Sequence, residues 1–288
     1  MARTHPRHRV DGIERAAALH AEAVALADTA AQVLEQCAPQ DAPAPQYAQQ
    51  RELATRLRAA ATELVPGWLG ASLIAYPPTG PLPAPGSGAG VPRYVRVGTA
   101  HPLEDAAFPA VVPLLGGGGN LAIDADARDA RTAGLLRSLV LRLVAATPAG
   151  ALRVRVVDPT GAVFAPFSAL GSLGIVWSAP GDPGDGLRAA IADAEEWVRR
   201  PGRYTMLVVI AGLPELTEGG DLTRLTELAR LGPGNRLHLV VAGWPPPPLT
   251  EQAAQDALPL ATQVVVRNPH ALVGDPPGTG FGSGGALN

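Results

Sequence analysis

The sequence predicts an α/β domain, a mostly parallel sheet covered by helices on both faces, set behind an α-helical hairpin. Three observations carry the prediction. Two proline-free stripes of helical period precede a long Pro/Gly-rich break. Beyond the break, short apolar runs alternate with amphipathic segments of helical length. Those runs are nearly continuous, Leu-Val-Val-Ile at 207–210 and Leu-Val-Val at 239–241, as strands covered on both faces must be.

Each element follows in order. From Val10 to Cys37, Leu19, Leu26 and Val33 recur seven apart, each three residues after an alanine (Ala16, Ala23, Ala30). A second stripe from Gln46 to Leu64 runs through Leu53, Leu57, Ala60 and Leu64, and the Pro/Ala-rich stretch Ala38–Pro45 connects the two. Two antiparallel helices are expected, serving as spacer or oligomer contact or simply covering part of the main domain. Pro77–Pro92 has no periodicity and reads as an extended linker.

Strands are expected at Tyr94–Val97, Leu121–Ile123, Leu152–Val157, Gly174–Trp177, Met206–Ile210, Leu237–Val241 and Gln263–Arg267. Helices are expected at Arg131–Ala146, Leu187–Arg199, Leu222–Leu231 and Thr250–Asp256. The expected division is thus a hairpin at 1–76, a linker at 77–93, the α/β domain at 94–270, and a Gly/Pro-rich tail or linker at 271–288.

Composition narrows the function. Of the residues 47% are hydrophobic and 17% charged, so a sizeable core can form. The net charge of −3 excludes a general attraction to nucleic acid or an anionic membrane and leaves only local patches. The single Cys37 excludes an intramolecular disulfide framework and a multi-cysteine metal site, and fits a reducing cytoplasm. The six histidines show no paired ligand spacing, so no metal is expected. No apolar stretch approaches the ~20 residues of a spanning helix, and Asp11, Glu14 and Arg15 interrupt any secretory h-region. A cytoplasmic location follows, with any membrane association supplied by a partner.

In an α/β sheet a phosphate is held where a strand gives way to a helix, by backbone N–H groups at the helix N-terminus. Here Leu121-Ala122-Ile123 runs into Asp124-Ala125-Asp126-Ala127-Arg128-Asp129-Ala130-Arg131-Thr132 and then a long apolar helix. Against G-x-x-x-x-G-K-[ST], residues 125–132 read Ala-x-x-x-x-Ala-Arg-Thr. Alanine disfavours the positive φ that the glycines supply. Arg131 keeps a charge but replaces a compact ammonium with a planar fork. The chain contains no lysine at all, which removes the conventional mechanism. Asp124, Asp126 and Asp129 put negative charge where a polyanion would sit, and only Thr132 matches the Mg²⁺-liganding position. The competing reading is an ordinary helix cap, with Asp126 or Asp129 satisfying first-turn amides.

Hydrolysis also needs an acid at the end of another strand to hold Mg²⁺ and orient water. Met206–Ile210 ends instead in Ala211-Gly212, with Glu215 beyond Pro214. Asp158, at the end of Leu152–Val157, is the better-placed carboxylate, with a turn residue of Asp-Pro-Thr-Gly as its alternative role. Arg128, Arg131, Arg137 and Arg142 form one basic group and Arg199, Arg200 and Arg203 a second, each either a phosphate contact or solvated surface. Trp197 and Trp244 read as packing residues.

In this order the segments from about Asn120 to Pro269 resemble the motor domain of the FtsK/SpoIIIE family of DNA-translocating ATPases, and the related coupling ATPases of type VII secretion. The resemblance lies in the loop and its helix, the strand ending in Asp158-Pro159, the aromatic segment Phe164–Phe167 and Met206–Gly212 at the Walker B position. His238 to Pro245 resembles the family's sensor segment, with Gly243 in place of its polar residue, and Ala261–Arg267 its last strand. The resemblance implies a RecA-like fold and ring assembly around DNA or exported protein. The departures at Ala125, Ala130, Arg131 and Ala211-Gly212 imply a degenerate, non-hydrolytic copy serving assembly or regulation, with no catalytic residue and no cofactor. Its expected partners are copies of itself or active motor domains, with DNA a weaker candidate. Two alternatives stand beside this: an ATP-dependent DNA translocase binding ATP and Mg²⁺ through Arg131, Thr132 and Asp158, and an interaction module acting through the hairpin.

Overall fold

The computed structural model describes residues 44–72, 90–103, 106–178, 183–214, 217–246, 256–266, 272–273 and 285–286. Two compact units divide the chain, Met1–Leu53 and Ala54–Asn288. The expected helix Val10–Cys37 and most of the expected helix Thr250–Asp256 lie outside the described residues. The second helix of the expected hairpin is present as α1 (Ala44–Leu64), followed by a 3₁₀ turn at Gly67–Leu69.

The rest of the described chain contains β1 (Tyr94–Leu103), β2 (Ala106–Pro113), β3 (Asn120–Ile123), α2 (Ala130–Ala146), β4 (Leu152–Val157), α3 (Ser168–Ser172) and β5 (Val176–Ser178). It continues through α4 (Pro183–Arg199), β6 (Thr205–Ile210), α5 (Gly219–Leu231), β7 (Leu237–Ala242), β8 (Ala261–Val265), β9 (Leu272–Val273) and β10 (Gly285–Ala286). The main sheet has the order β10-β9-β8-β3-β7-β6-β4-β5. The pairs from β8 to β5 are all parallel, and β9 and β10 are antiparallel additions at the β8 edge. With β3 counted first, β4 second, β6 third, β7 fourth and β8 fifth, the core reads 5-1-4-3-2. This is the RecA-like arrangement, with helices on both faces, that the sequence predicts. Its consequence for the site is direct: β3 and its loop lie beside the end of β7, with β6 one strand further.

Alternation of side chains across the strands makes two cores. On one face Leu121, Ile123, Val154, Val156, Leu207, Val209, Val240 and Val264 pack under Leu136, Leu139, Val140 and Leu143 of α2. On the other, Ala122, Met206, Val208, Ile210, Leu239 and Val241 pack under Leu187, Ala190, Ile191 and Ala194 of α4 and Leu225, Leu228 and Ala229 of α5. Each such aliphatic side chain contributes about 1.5–3 kcal/mol by leaving water. Trp197 and Trp244 belong to this second core, as packing residues should.

β1 and β2 form a separate antiparallel pair that the sequence reading captured only in part. β2 carries Pro109 and ends at Pro113, and a ribbon of two strands tolerates what a central strand does not. Arginine forks fasten the segment after α1 to this unit. Nη1 of Arg96 donates to the Gly70 carbonyl (2.9 Å) and Nη1 of Arg142 to that of Ala71 (2.7 Å). Nε of Arg58 donates to the Ala107 carbonyl (2.9 Å). Ala54, Ala61 and Val65 are buried. The leucine stripe of the sequence, Leu53, Leu57 and Leu64, remains exposed.

Candidate functional site: the loop between β3 and α2

The loop Asp124–Asp129 leaves β3 and enters α2 at Ala130. Its backbone is tied to the ends of the neighbouring strands. Ala127 N–H donates to Ala211 O (2.8 Å), Gly243 N–H to Ala125 O (3.1 Å), Trp244 N–H to Ile123 O (2.9 Å) and Asp124 N–H to Val264 O (3.1 Å). The Asp124 carboxylate accepts from the Val266 amide at 2.6 Å. Ala125 is buried at 6% exposure and belongs to the core.

Two amides at the entry to α2 are taken by carboxylates of the loop itself. Asp126 accepts the Arg128 N–H at 2.9 Å, and its other oxygen accepts from Nε and Nη2 of the same arginine at 2.9 and 2.6 Å. Asp129 caps α2 by accepting the Arg131 N–H at 2.8 Å, and holds the Arg131 guanidinium through Nε (3.2 Å) and Nη2 (2.9 Å). Asp129 N–H in turn donates to Asp126 O at 3.1 Å. The guanidinium of Arg131 holds the Asp129 carboxyl below the usual carboxylate range, and Asp129 raises Arg131. Both arginines thus meet an anion before any ligand arrives.

Thr132 lies in the first turn of α2, fully buried, and its Oγ1 has no hydrogen-bond partner among the described residues. β6 runs out into Ala211-Gly212. A Cβ built on Gly212 would stand 3.2 Å from the Asp126 Cβ, and one on Gly243 (φ +79°) would stand 3.5 Å from it. Asp126 therefore packs tightly over Gly212 and stands at ordinary contact distance from a Cβ at Gly243.

Asp158 does not join this group. Its Oδ1 accepts from Thr160 Oγ1 (2.7 Å) and Thr160 N–H (3.2 Å), and its Oδ2 from Val163 N–H (2.8 Å) and Phe164 N–H (3.1 Å). The first pair lies within the Asp158–Gly161 turn, and the second ties that turn to the aromatic segment after it. The two arginines on the body of α2 also have internal work. Arg137 donates to the Val163 carbonyl at 2.9 Å, and Arg142, 4% exposed, holds Ala71. Arg128 and Arg131 keep about half or more of their side chains in water, at 69% and 51% exposure.

Sequence reasoning missed the buried polar centre at the opposite end of β3. Asn120 Nδ2 donates to Ala229 O (2.8 Å) and Pro259 O (3.0 Å), and its Oδ1 accepts from Leu239 N–H (2.9 Å). His238 Nδ1 lies 2.8 Å from Gly119 O, and burial pushes the imidazole below its ordinary pKa. No group of acidic, cysteine or histidine side chains suited to a metal ion occurs among the described residues. None of their helices is long and apolar enough to cross a membrane.

No family model matches the chain, and no curated protein matches it. Among solved structures it is similar to the cytoplasmic domain of the type VII secretion ATPase EccC of Thermomonospora curvata (19% identity, TM-score 0.40, covering 63% of this chain and 24% of that one). It is similar also to ATPases 2 and 3 of EssC from Geobacillus thermodenitrificans (13% identity, TM-score 0.45, 72% and 47% covered). A third is Thermomonospora curvata EccC, ATPases 2 and 3, in complex with a signal sequence peptide (16% identity, TM-score 0.47, 62% and 37% covered). The chain spans between a quarter and a half of the length of these proteins.

Proposed function

We propose that this chain is a non-hydrolytic domain of an FtsK/SpoIIIE-like motor of the type VII secretion kind, serving assembly or regulation and not turnover. One observation carries the reading. The helix N-terminus that would hold a nucleotide's phosphates is already neutralised from within, by Asp126 on the Arg128 amide and Asp129 on the Arg131 amide. A polyanion would have to displace both carboxylates and then sit beside them. The missing acid at Ala211-Gly212 supports the same reading, because no side chain there orients water or holds Mg²⁺. Copies of this chain or active motor domains of the same family are the partners this role implies.

Calorimetric titration with Mg-ATP tests it. The expected result is no saturable heat at millimolar nucleotide. Saturable binding that Arg131→Ala abolishes would overturn the reading.

The second reading, an ATP-dependent DNA translocase with a divergent site, draws on the unpartnered hydroxyl of Thr132 at the Mg²⁺-liganding position. It requires Arg131 and Asp158 to leave the bonds described above. A gel-shift series with duplex DNA decides its nucleic-acid half, since a real phosphate footprint weakens steeply with salt.

A further inference from the structure

The basic group on the far side of the sheet from the loop is unused by this function. Arg153 opens β4, Arg203 and Tyr204 precede β6, Arg236 precedes β7, and Arg199 and Arg200 end α4. All therefore stand at the amino-terminal end of these strands. The Arg153 guanidinium lies 4.8 Å from the Tyr204 ring centroid, and Tyr204 packs 4.4 Å from Trp197. Arg236 reaches the carbonyls of Gly202 (2.6 Å) and Arg203 (3.4 Å). Arg199 and Arg200 share Glu196 at 2.7 and 3.7 Å. The Arg203 guanidinium has no hydrogen bond or ion pair with a described residue. Five arginines thus stand against Glu196 and against Glu195, which is paired with Arg224 and also feels Arg199, in a chain of net charge −3.

Helix-dipole complementarity accounts for Arg199 and Arg200 at the end of α4, and Arg236 caps the 3₁₀ turn Pro233–Asn235, but Arg153 and Arg203 lie on no helix. Arg236 moreover adopts a left-handed backbone (φ +60°) where glycine or asparagine fits better. Its side chain clasps the 202–203 backbone and so ties the segment that carries Arg203 to the start of β7.

We propose that this end of the domain docks an acidic polypeptide segment, a short run of Asp or Glu from a partner protein. Guanidinium forks match carboxylates bidentately, and several on one short segment suit a short acidic run. Nucleic acid fits less well. The Tyr204 ring is taken up by Arg153 and Trp197, which leaves it no role as a stacking platform. The group is confined to the end of α4, the segment before β6 and the starts of β4 and β7, in a chain whose net charge is negative. The proposal does not depend on the state of the nucleotide loop.

The test is fluorescence anisotropy on the full chain, with labelled octaglutamate, octaglutamine and a duplex DNA of about 20 base pairs. Octaglutamate is expected to bind, to weaken with salt, and to lose about tenfold or more in affinity in the Arg200→Glu/Arg203→Glu variant. Octaglutamine should not bind. An Arg56→Glu/Arg230→Glu control of equal charge change should stay within about twofold of the native chain. All four side chains are exposed, so circular dichroism should show native folding throughout. Failure of octaglutamate to bind, or equal loss in the control, overturns the proposal. Duplex binding tighter than octaglutamate and lost in Arg200→Glu/Arg203→Glu would reassign the surface to nucleic acid and overturn it equally.

Discussion

Asp126 lies across the bare α-carbon of Gly212, so that a Cβ added at 212 would come 3.2 Å from the Asp126 Cβ. Residues 86 positions apart in sequence thus share one space at the carboxyl end of the sheet. Placing an acid there by Gly212→Glu should cost about 1–3 kcal/mol, as overpacking does. Adding Asp126→Gly should recover part of that cost, and a double-mutant cycle in urea reads the coupling. Strict additivity would show that the two positions do not compete.

The self-capped loop makes its own prediction. Asp129→Ala removes the cap of α2 and should cost about 1 kcal/mol in thermal or chemical unfolding. Asp126→Ala/Asp129→Ala together remove the two carboxylates from the Arg128 and Arg131 amides and from the guanidinium forks they hold. The double variant should then bind inorganic phosphate at millimolar concentration by calorimetry, while the native chain does not.

Asn120 joins β3 to the end of α5, to β7 and to the segment before β8 with one buried amide. Asn120→Ala orphans two carbonyls and one N–H in the core and should cost about 3 kcal/mol or more. Asn120→Asp keeps the shape but sets an acceptor against two acceptors, so its loss should be larger still at neutral pH.

His238 gives the chain a pH dependence of known sign. Burial lowers its folded pKa, so around and below the unfolded value of about 6.5 the unfolded chain binds the proton and the folded chain does not. Stability from this group is present above that range and falls with falling pH. Urea midpoints between pH 7.5 and 5 should show the fall in the native chain and its reduction in His238→Leu.

Truncation should respect the arginine forks rather than the linker. A chain starting at residue 77 loses the Gly70 and Ala71 carbonyls that accept from Arg96 and Arg142. It should melt well below a chain starting at residue 54, which keeps them.

The strands β3, β4, β6 and β7 were legible in the sequence to within a residue or so, because each is a short apolar run between breakers. β2 was not, since Pro109 within it reads as a break when no edge ribbon is known to hold it. At the site, the cap by Asp129 was legible, being a contact two residues long. The reach of the loop onto Ala211 and Gly243 was not, because it depends on β3 lying next to β7 with β6 beyond, which is a property of strand order. The Asn120 centre was hidden for the same reason. Its partners lie 109, 119 and 139 positions away, and nothing local marks an asparagine that will be buried.

The Asp126 and Asp129 contacts also bear on how the domain responds to its surroundings. A protein whose folded form alone binds a ligand gains stability as that ligand becomes abundant. Where the anion is a covalent part of the chain, its supply never varies. On the reading proposed here, the melting temperature of this domain should therefore be indifferent to the ATP level around it, whatever the neighbouring motor domains are doing.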